Sequence, residues 1–393
     1  MNKNIAFDFD GVCTDLSFAK ECRMDKSEFL YSPVSISISP IRKGIAELIS
    51  VSGLFTNVFI LTSRPKEARA TIQEWLLQKQ LLDLIEDIIC CCGVPKVDFM
   101  KMYKIGLLVD DKTKNLPKSD EDMQGIFWTE QSWLEVLRDI LNYFVASQSR
   151  LKGNYIRFLK GFEDSTDLGT SPVFIFNLDD QSKLKLRVCS NNLVRDKIIT
   201  FLCVAKNNFY HNVADLVAVN GLAILKTFIE GVSISSLKGR KRLDSIFKAG
   251  VALARLHLIK FESVDLALKL NIFNDAEESL LVFSADNYNM IVTCENEVAF
   301  IDLEACNFGS RWIDYYWAQE LLCQNSREKS MLDSGYFSVY KGCVPSVEHQ
   351  KMAKISYKVW LSYQLQHSEI THASDSKKIK TVKDALQKLW NLE

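Results

Sequence analysis

Between residue 1 and about residue 145 the chain alternates short apolar runs with longer amphipathic ones. Strand-like segments lie at 4–9, 57–61, 86–91, 104–109 and 124–128. Helix-like segments lie near 41–52, 65–80, 96–102 and 131–147. That rhythm predicts an α/β unit, a doubly wound parallel sheet with helices on both faces. Sites in such sheets lie outside the carboxyl ends of the strands. Acidic or hydroxyl residues are therefore expected at several strand ends.

They are there. Ile5-Ala6-Phe7-Asp8-Phe9-Asp10-Gly11 closes the first strand with two carboxylates. Side chains on a strand repeat every two residues, so Asp8 and Asp10 leave on the same side, and Gly11 lets the chain turn. Val58-Phe59-Ile60-Leu61 runs into Thr62-Ser63-Arg64-Pro65, and Ile105–Val109 runs into Asp110-Asp111. Between them Lys96 opens a helix after Gly93-Val94-Pro95. Taken singly, each has a plain explanation: an acidic turn, a helix N-cap at Thr62, a solvated first-turn lysine. Taken together, in this order and on one sheet edge, they read as a site. Two like charges held this close are costly unless a hard cation such as Mg²⁺, or a transferred phosphoryl group, uses them.

A chain of 393 residues is too long for one ordinary core, so two domains are expected. Hydrophobic content of 47% with 25% charged residues describes a soluble globular protein. A net charge of −1 argues against nucleic acid or an acidic membrane as partner. Lys238, Arg240, Lys241 and Arg242 cluster, and read as a solvated loop or helix start. The 11 cysteines, including the run Cys90-Cys91-Cys92, have no zinc-ligand spacing, and free thiols in a reducing cytoplasm are expected. The first strand begins at residue 4, which leaves no room for a signal peptide, and no run approaches the ~20 apolar residues of a membrane span.

Segment 4–141 resembles the haloacid dehalogenase (HAD) phosphatase superfamily. Asp8-Phe9-Asp10-Gly11 stands where that family writes DxDG, Thr62 carries its second motif, Lys96 its third, and Asp110-Asp111 its fourth. The resemblance implies that Asp8 attacks phosphorus and becomes an aspartyl phosphate that water then hydrolyses. It implies that Asp10 protonates the leaving oxygen and later activates water. Thr62 and Lys96 would bind phosphoryl oxygens, and Asp8, the Asp10 carbonyl and Asp110, with or without Asp111, would hold Mg²⁺. About fifty residues separate the first two motifs, which implies a minimal cap, with 16–40 as a short flap. A minimal cap leaves a site open to sugars, nucleotides or macromolecular ends.

The helical pattern breaks near 148–153, which sets the expected domains at 1–147 and 154–393. Val173–Phe176 and Leu184–Val188 read as strands of a hairpin turning at Asn177–Asp180, after which the chain reads as mostly helical. Further on, Asn289 ends a short loop and Asp302 ends the strand Val298–Ile301. That geometry can hold Mg²⁺ on a nucleoside triphosphate. For the two residues alone an ordinary polar hairpin is the better reading.

Segment 155–390 is similar to the aminoglycoside phosphotransferase and choline kinase-like enzymes. The likeness rests on Leu184–Val188, Thr227–Gly231, Ala252–His257 and Phe300–Asp314, in that order. It implies an α+β bilobal protein-kinase-like domain that uses ATP. Arg187 or Lys185 would grip the phosphates, Asp196 would be the acidic helix partner, and Asn289 and Asp302 would hold the metal. The family's HGDxxxxN loop places its aspartate five residues before the asparagine, where this chain has Ser284. Asp286, three residues before Asn289, is then the candidate base.

The expectation is a cytoplasmic, bifunctional chain. It joins an Mg²⁺-dependent phosphatase to an ATP-dependent kinase acting on a small polar metabolite such as a sugar or sugar phosphate. Two other readings stay open: a phosphatase with an inactive kinase-like lobe that recognises substrate, and a nucleic-acid end-processing phosphatase/kinase. The near-neutral charge and the lack of a GxxxxGK[ST] loop weigh against the last.

Overall fold

The computed structural model describes residues 4–16, 32–118, 123–129, 131–151, 158–165, 172–260, 278–282, 289–303, 306–342, 344–351 and 353–356. The chain divides into two compact units. The first takes in residues 1–167, 171–192 and 217–226, and the second 168–170, 193–216 and 227–393.

The first unit is built on strands β1 (Asn4–Phe7), β2 (Val58–Thr62), β3 (Asp87–Cys90), β4 (Ile105–Asp110) and β5 (Gln124–Phe127). They form a parallel sheet in the order β3-β2-β1-β4-β5. The expected parallel sheet is therefore present, with β1 at its centre. Ile5 lies opposite Val58 on one side and Leu107 on the other. That order brings the exits of β1, β2 and β4 side by side.

Alternation along the strands buries both faces. Ile5, Phe7, Ile60 and Val109 face one apolar cluster, and Ala6, Phe59, Leu61 and Leu108 the other. Helices α1 (Pro33–Ile38), α2 (Ile45–Ser52), α3 (Ala68–Gln78), α4 (Lys96–Met102) and α5 (Trp133–Ala146) connect or flank the strands. The α5 start is fixed by a capping box between Ser132 and Glu135, and its buried stripe runs through Val136, Leu137, Ile140, Leu141 and Phe144. Of the 16–40 flap, residues 17–31 lie outside the described residues, and 33–38 form α1.

The same unit holds a second, five-stranded sheet. Its strands are β6 (Leu159–Asp164), β7 (Val173–Leu178), β8 (Lys183–Val188), β9 (Leu216–Asn220) and β10 (Ala223–Thr227), in the order β6-β7-β8-β10-β9. The expected β7–β8 hairpin is there, with Asn177 opposite Lys183. One face of this sheet, through Phe174, Phe176, Leu184, Leu186, Val188 and Leu225, joins the same apolar cluster as Ile5 and Phe7. Phe55 stacks on Phe144 at 4.6 Å and meets Phe176 at 5.6 Å. Asn220 Nδ2 donates to the Ser50 carbonyl at 2.7 Å.

Among the described residues after 188 helices take more of the chain than strands, as expected, but the hairpin β9–β10 also follows and was not read. Asn220-Gly221 between two apolar runs is a strong hairpin signal, and Gly221 adopts φ +51° there.

The second unit contains α6 (Asn192–Asn207), α7 (Gly239–His257), α8 (Arg311–Leu321) and α9 (Ser326–Val339). The backbones of α7 and α9 approach closely at two glycines. A Cβ on Gly335 would meet the Phe247 carbonyl, and one on Gly250 the Leu332 carbonyl. Strands β11 (Val232–Ser233), β13 (Met290–Val292) and β14 (Val298–Phe300) form one small sheet, and β12 (Glu278–Leu281) pairs with β15 (Asn307–Ser310). Arg242 departs from the solvated cluster expected around it. It is buried, donates to Glu328 Oε1 at 2.8 Å, and also reaches the Ile234 and Leu322 carbonyls. Nine described cysteines are free thiols. Among the described residues no helix is long and apolar enough to cross a membrane.

Candidate active site

The carboxyl edge of the parallel sheet gathers the acidic strand ends. Asp8 follows β1 directly, and its backbone N–H donates to the Val109 carbonyl at 2.9 Å, which ties it to β4. Asp110 is the last residue of β4 and is fully buried. Lys96, at the start of α4, reaches between them. Its Nζ lies 2.7 Å from Asp8 Oδ1 and 2.6 Å from Asp110 Oδ2. One buried cation thus serves two buried carboxylates that would otherwise repel.

The electrostatics follow from that count. Burial pushes the Asp8 carboxyl up to about 7; Lys96 opposes the shift, while Asp110 and Asp10 add to it. Burial disfavours the Lys96 charge, yet Asp8 and Asp110 outweigh it and hold the ammonium above the ordinary lysine range. Asp110 Oδ1 also accepts the Lys112 N–H at 2.8 Å and Asn115 Nδ2 at 3.0 Å. The oxygens of Asp8, Asp110 and Asp111 come within 4.8 Å of one another. Three carboxylate oxygens with no nitrogen or sulfur donor suit a hard cation such as Mg²⁺. Gly11 is required beside them: at φ +86°, a Cβ there would meet the Asp111 carboxylate.

Thr62 ends β2 and is fully buried. Its Oγ1 accepts the Arg64 N–H at 3.3 Å, which leaves the hydroxyl proton to donate. The Asp10 carboxylate is held by Arg64, whose Nη2 donates to Oδ1 at 2.8 Å and whose Nε donates to Oδ2 at 3.0 Å. Arg42 donates to the Gly11 and Trp128 carbonyls and lies 4.0 Å over the Trp128 ring. Two thiols border the site. Burial pushes Cys91 up to about 12 and holds Cys13 well above the ordinary thiol range, so neither supplies a thiolate at neutral pH.

Six residues singled out in the sequence therefore share this edge: Asp8, Asp10, Thr62, Lys96, Asp110 and Asp111. The sequence reading missed Arg64, Asn115 and Arg42. Arg64 stood inside the quoted LTSRP stretch, and no periodicity marks an arginine as a carboxylate clamp.

The residues singled out in the second half fall in both units. In the first, Lys185 and Arg187 alternate along β8 with Leu184, Leu186 and Val188, so both cations face away from the shared core. Lys226 of β10, buried and also on that opposite face, was not foreseen. A lone lysine directly after the apolar run Leu222–Leu225 was the available signal.

In the second unit Asn289 precedes β13 and Asp302 follows the strand residue Phe300 by two. Met290 pairs with Phe300, and the Ile301 N–H donates to the Asn289 carbonyl at 3.0 Å, so Asn289 and Asp302 share one end of the hairpin. Asp286 and Ser284 lie outside the described residues. Asp196 lies on α6, where Arg195 donates to it at 2.8 Å. Asp314 of α8 is fully buried and accepts the Val282 N–H at 2.6 Å. His257 lies 3.5 Å from the same carboxylate through Nε2 and 2.8 Å from the Tyr336 hydroxyl through Nδ1.

No protein-family model matches this chain, and no curated protein sequence does. Among solved structures, the chain is similar to a choline kinase from Streptococcus pneumoniae at 11% identity and a TM-score of 0.46, covering 60% of this chain and 94% of that one. It is similar to the gentamicin–APH(2″)-IIa complex at 15% identity and a TM-score of 0.44, covering 58% and 91%. It is also similar to a macrolide 2′-phosphotransferase from Brachybacterium faecium at 12% identity and a TM-score of 0.44, covering 63% and 97%.

Proposed function

We propose that residues 1–147 of the first unit carry a phosphomonoesterase site of the HAD type that works through an aspartyl phosphate. The observation that carries this reading is Lys96 held between Asp8 and Asp110, at the same sheet edge as Asp10 and Thr62. Lys96 and the Phe9 N–H both donate to Asp8 Oδ1, so Oδ2 is the oxygen presented for attack. The Thr62 hydroxyl and Lys96 ammonium supply donors for the phosphoryl oxygens, inside a site too dry for water to screen them. Asp10 passes a proton to the leaving oxygen and takes one back from the attacking water. Asp8, Asp110 and Asp111, with the Asp10 carbonyl, would hold Mg²⁺. A bound Mg²⁺ would offset charge on the transferring phosphoryl group. The test is Asp8→Asn in the full chain. Hydrolysis of a generic phosphomonoester is expected to vanish while thermal unfolding stays where it was. Wild-type turnover in that variant refutes the reading.

Residues 154–393 we read as an ATP-dependent, kinase-like phosphotransferase domain, with 1–147 carrying the phosphatase residues. The support is the order of the four family-like stretches and the shared hairpin end of Asn289 and Asp302. Asp286 is the proposed base, Arg187 and Lys185 the phosphate-gripping cations, and a small polar metabolite the substrate. Calorimetry with ATP and Mg²⁺ tests it. Binding that is lost in Asp302→Ala supports phosphotransfer, and no binding by the wild type favours a lobe that only recognises substrate.

A further inference from the structure

Among the described residues, Arg64 is the one buried cation at the sheet edge to which the mechanism above gives no task. It is only 4% exposed and arrives two residues after Thr62, on the loop leaving β2. That loop is pinned from both sides. The Arg64 N–H donates to Thr62 Oγ1 at 3.3 Å, and its carbonyl accepts the Cys92 N–H at 3.3 Å. Pro65 follows and fixes the next backbone angle. The side chain passes within 5.7 Å of the Phe9 ring centre and ends on Asp10 with three N–H contacts, at 2.8, 3.0 and 3.2 Å.

A planar fork that takes both oxygens of a carboxyl group fixes the plane of that group. A single lysine or a water could hold one oxygen and leave the group free to rotate. We propose that Arg64 is the positioning residue for Asp10, holding its carboxyl group in the orientation that proton transfer to and from the reacting oxygens requires. This rests on the phosphatase reading.

The role is the same in both half-reactions. In the first, the Asp8 oxygen bonds to phosphorus, the bond from phosphorus to the leaving oxygen breaks, and that oxygen takes the proton carried by Asp10. In the second, a water oxygen bonds to phosphorus, the bond to Asp8 breaks, and the water's proton goes to the Asp10 carboxylate. Each Asp10 oxygen has two lone pairs, so the fork and the travelling proton use different ones.

A rival role is direct: Arg64 could leave Asp10 and donate to the phosphoryl oxygens. The two roles differ in which substrates suffer when Arg64 is lost. Phosphoryl charge is common to every ester, whereas a leaving group of high pKa depends on proton donation and one of low pKa does not.

The experiment uses the full chain with Mg²⁺ and three esters: p-nitrophenyl phosphate, phenyl phosphate and a simple alkyl phosphate. Arg64→Gln is expected to lower kcat with little change in KM. The loss in kcat/KM, which reports the first half-reaction alone, should be at least about tenfold larger for the alkyl ester than for the p-nitrophenyl ester, within the range a positioned acid supplies. Asp10→Asn should give the same ordering, and the double variant should be no worse than Asp10→Asn alone. An even loss of kcat/KM across the three esters, or a rise in KM alone, overturns the proposal. If Arg64→Gln does not fold, Arg64→Lys carries the test: a smaller loss in the same order supports the proposal, and an even loss overturns it. Asp8→Asn separates the two levels. An inactive Asp8→Asn with an even Arg64 loss sinks only the positioning role, and a fully active Asp8→Asn sinks the phosphatase reading with it.

Discussion

Single ionisable residues in this chain are set by what is buried beside them. Asp8 and Lys96 titrate away from their ordinary values because each lost water and gained specific partners. His257 shows the same physics far from any carboxylate cluster. Burial pushes its imidazole below the ordinary 6.5, and the nearby Asp314 carboxylate only partly opposes this. The folded chain therefore keeps His257 neutral at pH values where the unfolded chain protonates it. The stability this contributes is complete above about 6.5 and falls as pH drops from there toward the lowered folded value. Urea unfolding of the full chain should show the wild type losing stability relative to His257→Gln below pH 6.5, and parallel curves would contradict this. At this scale the sequence was legible wherever chemistry sat on a strand end. Asp8, Thr62 and Asp110 could be placed by counting in twos. Arg64, Asn115 and Arg42 could not, because their roles come from loops that topology brings together.

Elements were legible where a regular period met ordinary length. The five strands of the parallel sheet stand within a few residues of the predicted segments; in β1 to β4 both faces are buried and the apolar runs are continuous, whereas β5 is an exposed edge strand. Helix α5 was readable from its stripe and its Ser132–Glu135 box. Of the strands after residue 188, β14 was read as Val298–Ile301; others were missed because several are only two to four residues long and offer no period to count. β9 and β10 had a signal in Asn220-Gly221 that the helix-like composition around it masked. Arg242 misled for another reason. A basic run predicts solvent, but one of its members faces inward on α7, and Glu328 of α9 pairs with it. Composition counts charges without knowing which face each occupies.

On the scale of the chain, the linker expected at 148–153 marks a break in helical pattern, and the apolar core runs past it. Phe55 and Phe144 lie on one side of that break in sequence, and Phe174, Phe176, Leu184, Leu186 and Val188 lie on the other, yet all belong to one buried cluster. Ending the chain at residue 147 would uncover the faces of α2 and α5 that these side chains cover. Fully burying one such side chain is worth about 1.5–3 kcal/mol, so losing cover over several approaches the 5–15 kcal/mol that holds an ordinary domain together. The residues at the carboxyl edge of the parallel sheet then depend for their positions on a sheet that the sequence assigns to the other half. Residues 1–147 alone should therefore melt well below the full chain or aggregate, and should bind a dye specific for exposed apolar surface. A chain ending at residue 230, which keeps β6 to β10, should regain a cooperative transition and any hydrolysis that the full chain shows. Equal melting temperatures for the 1–147 fragment and the longer chain would mean that the shared core contributes little, and that the acidic edge stands on the parallel sheet alone.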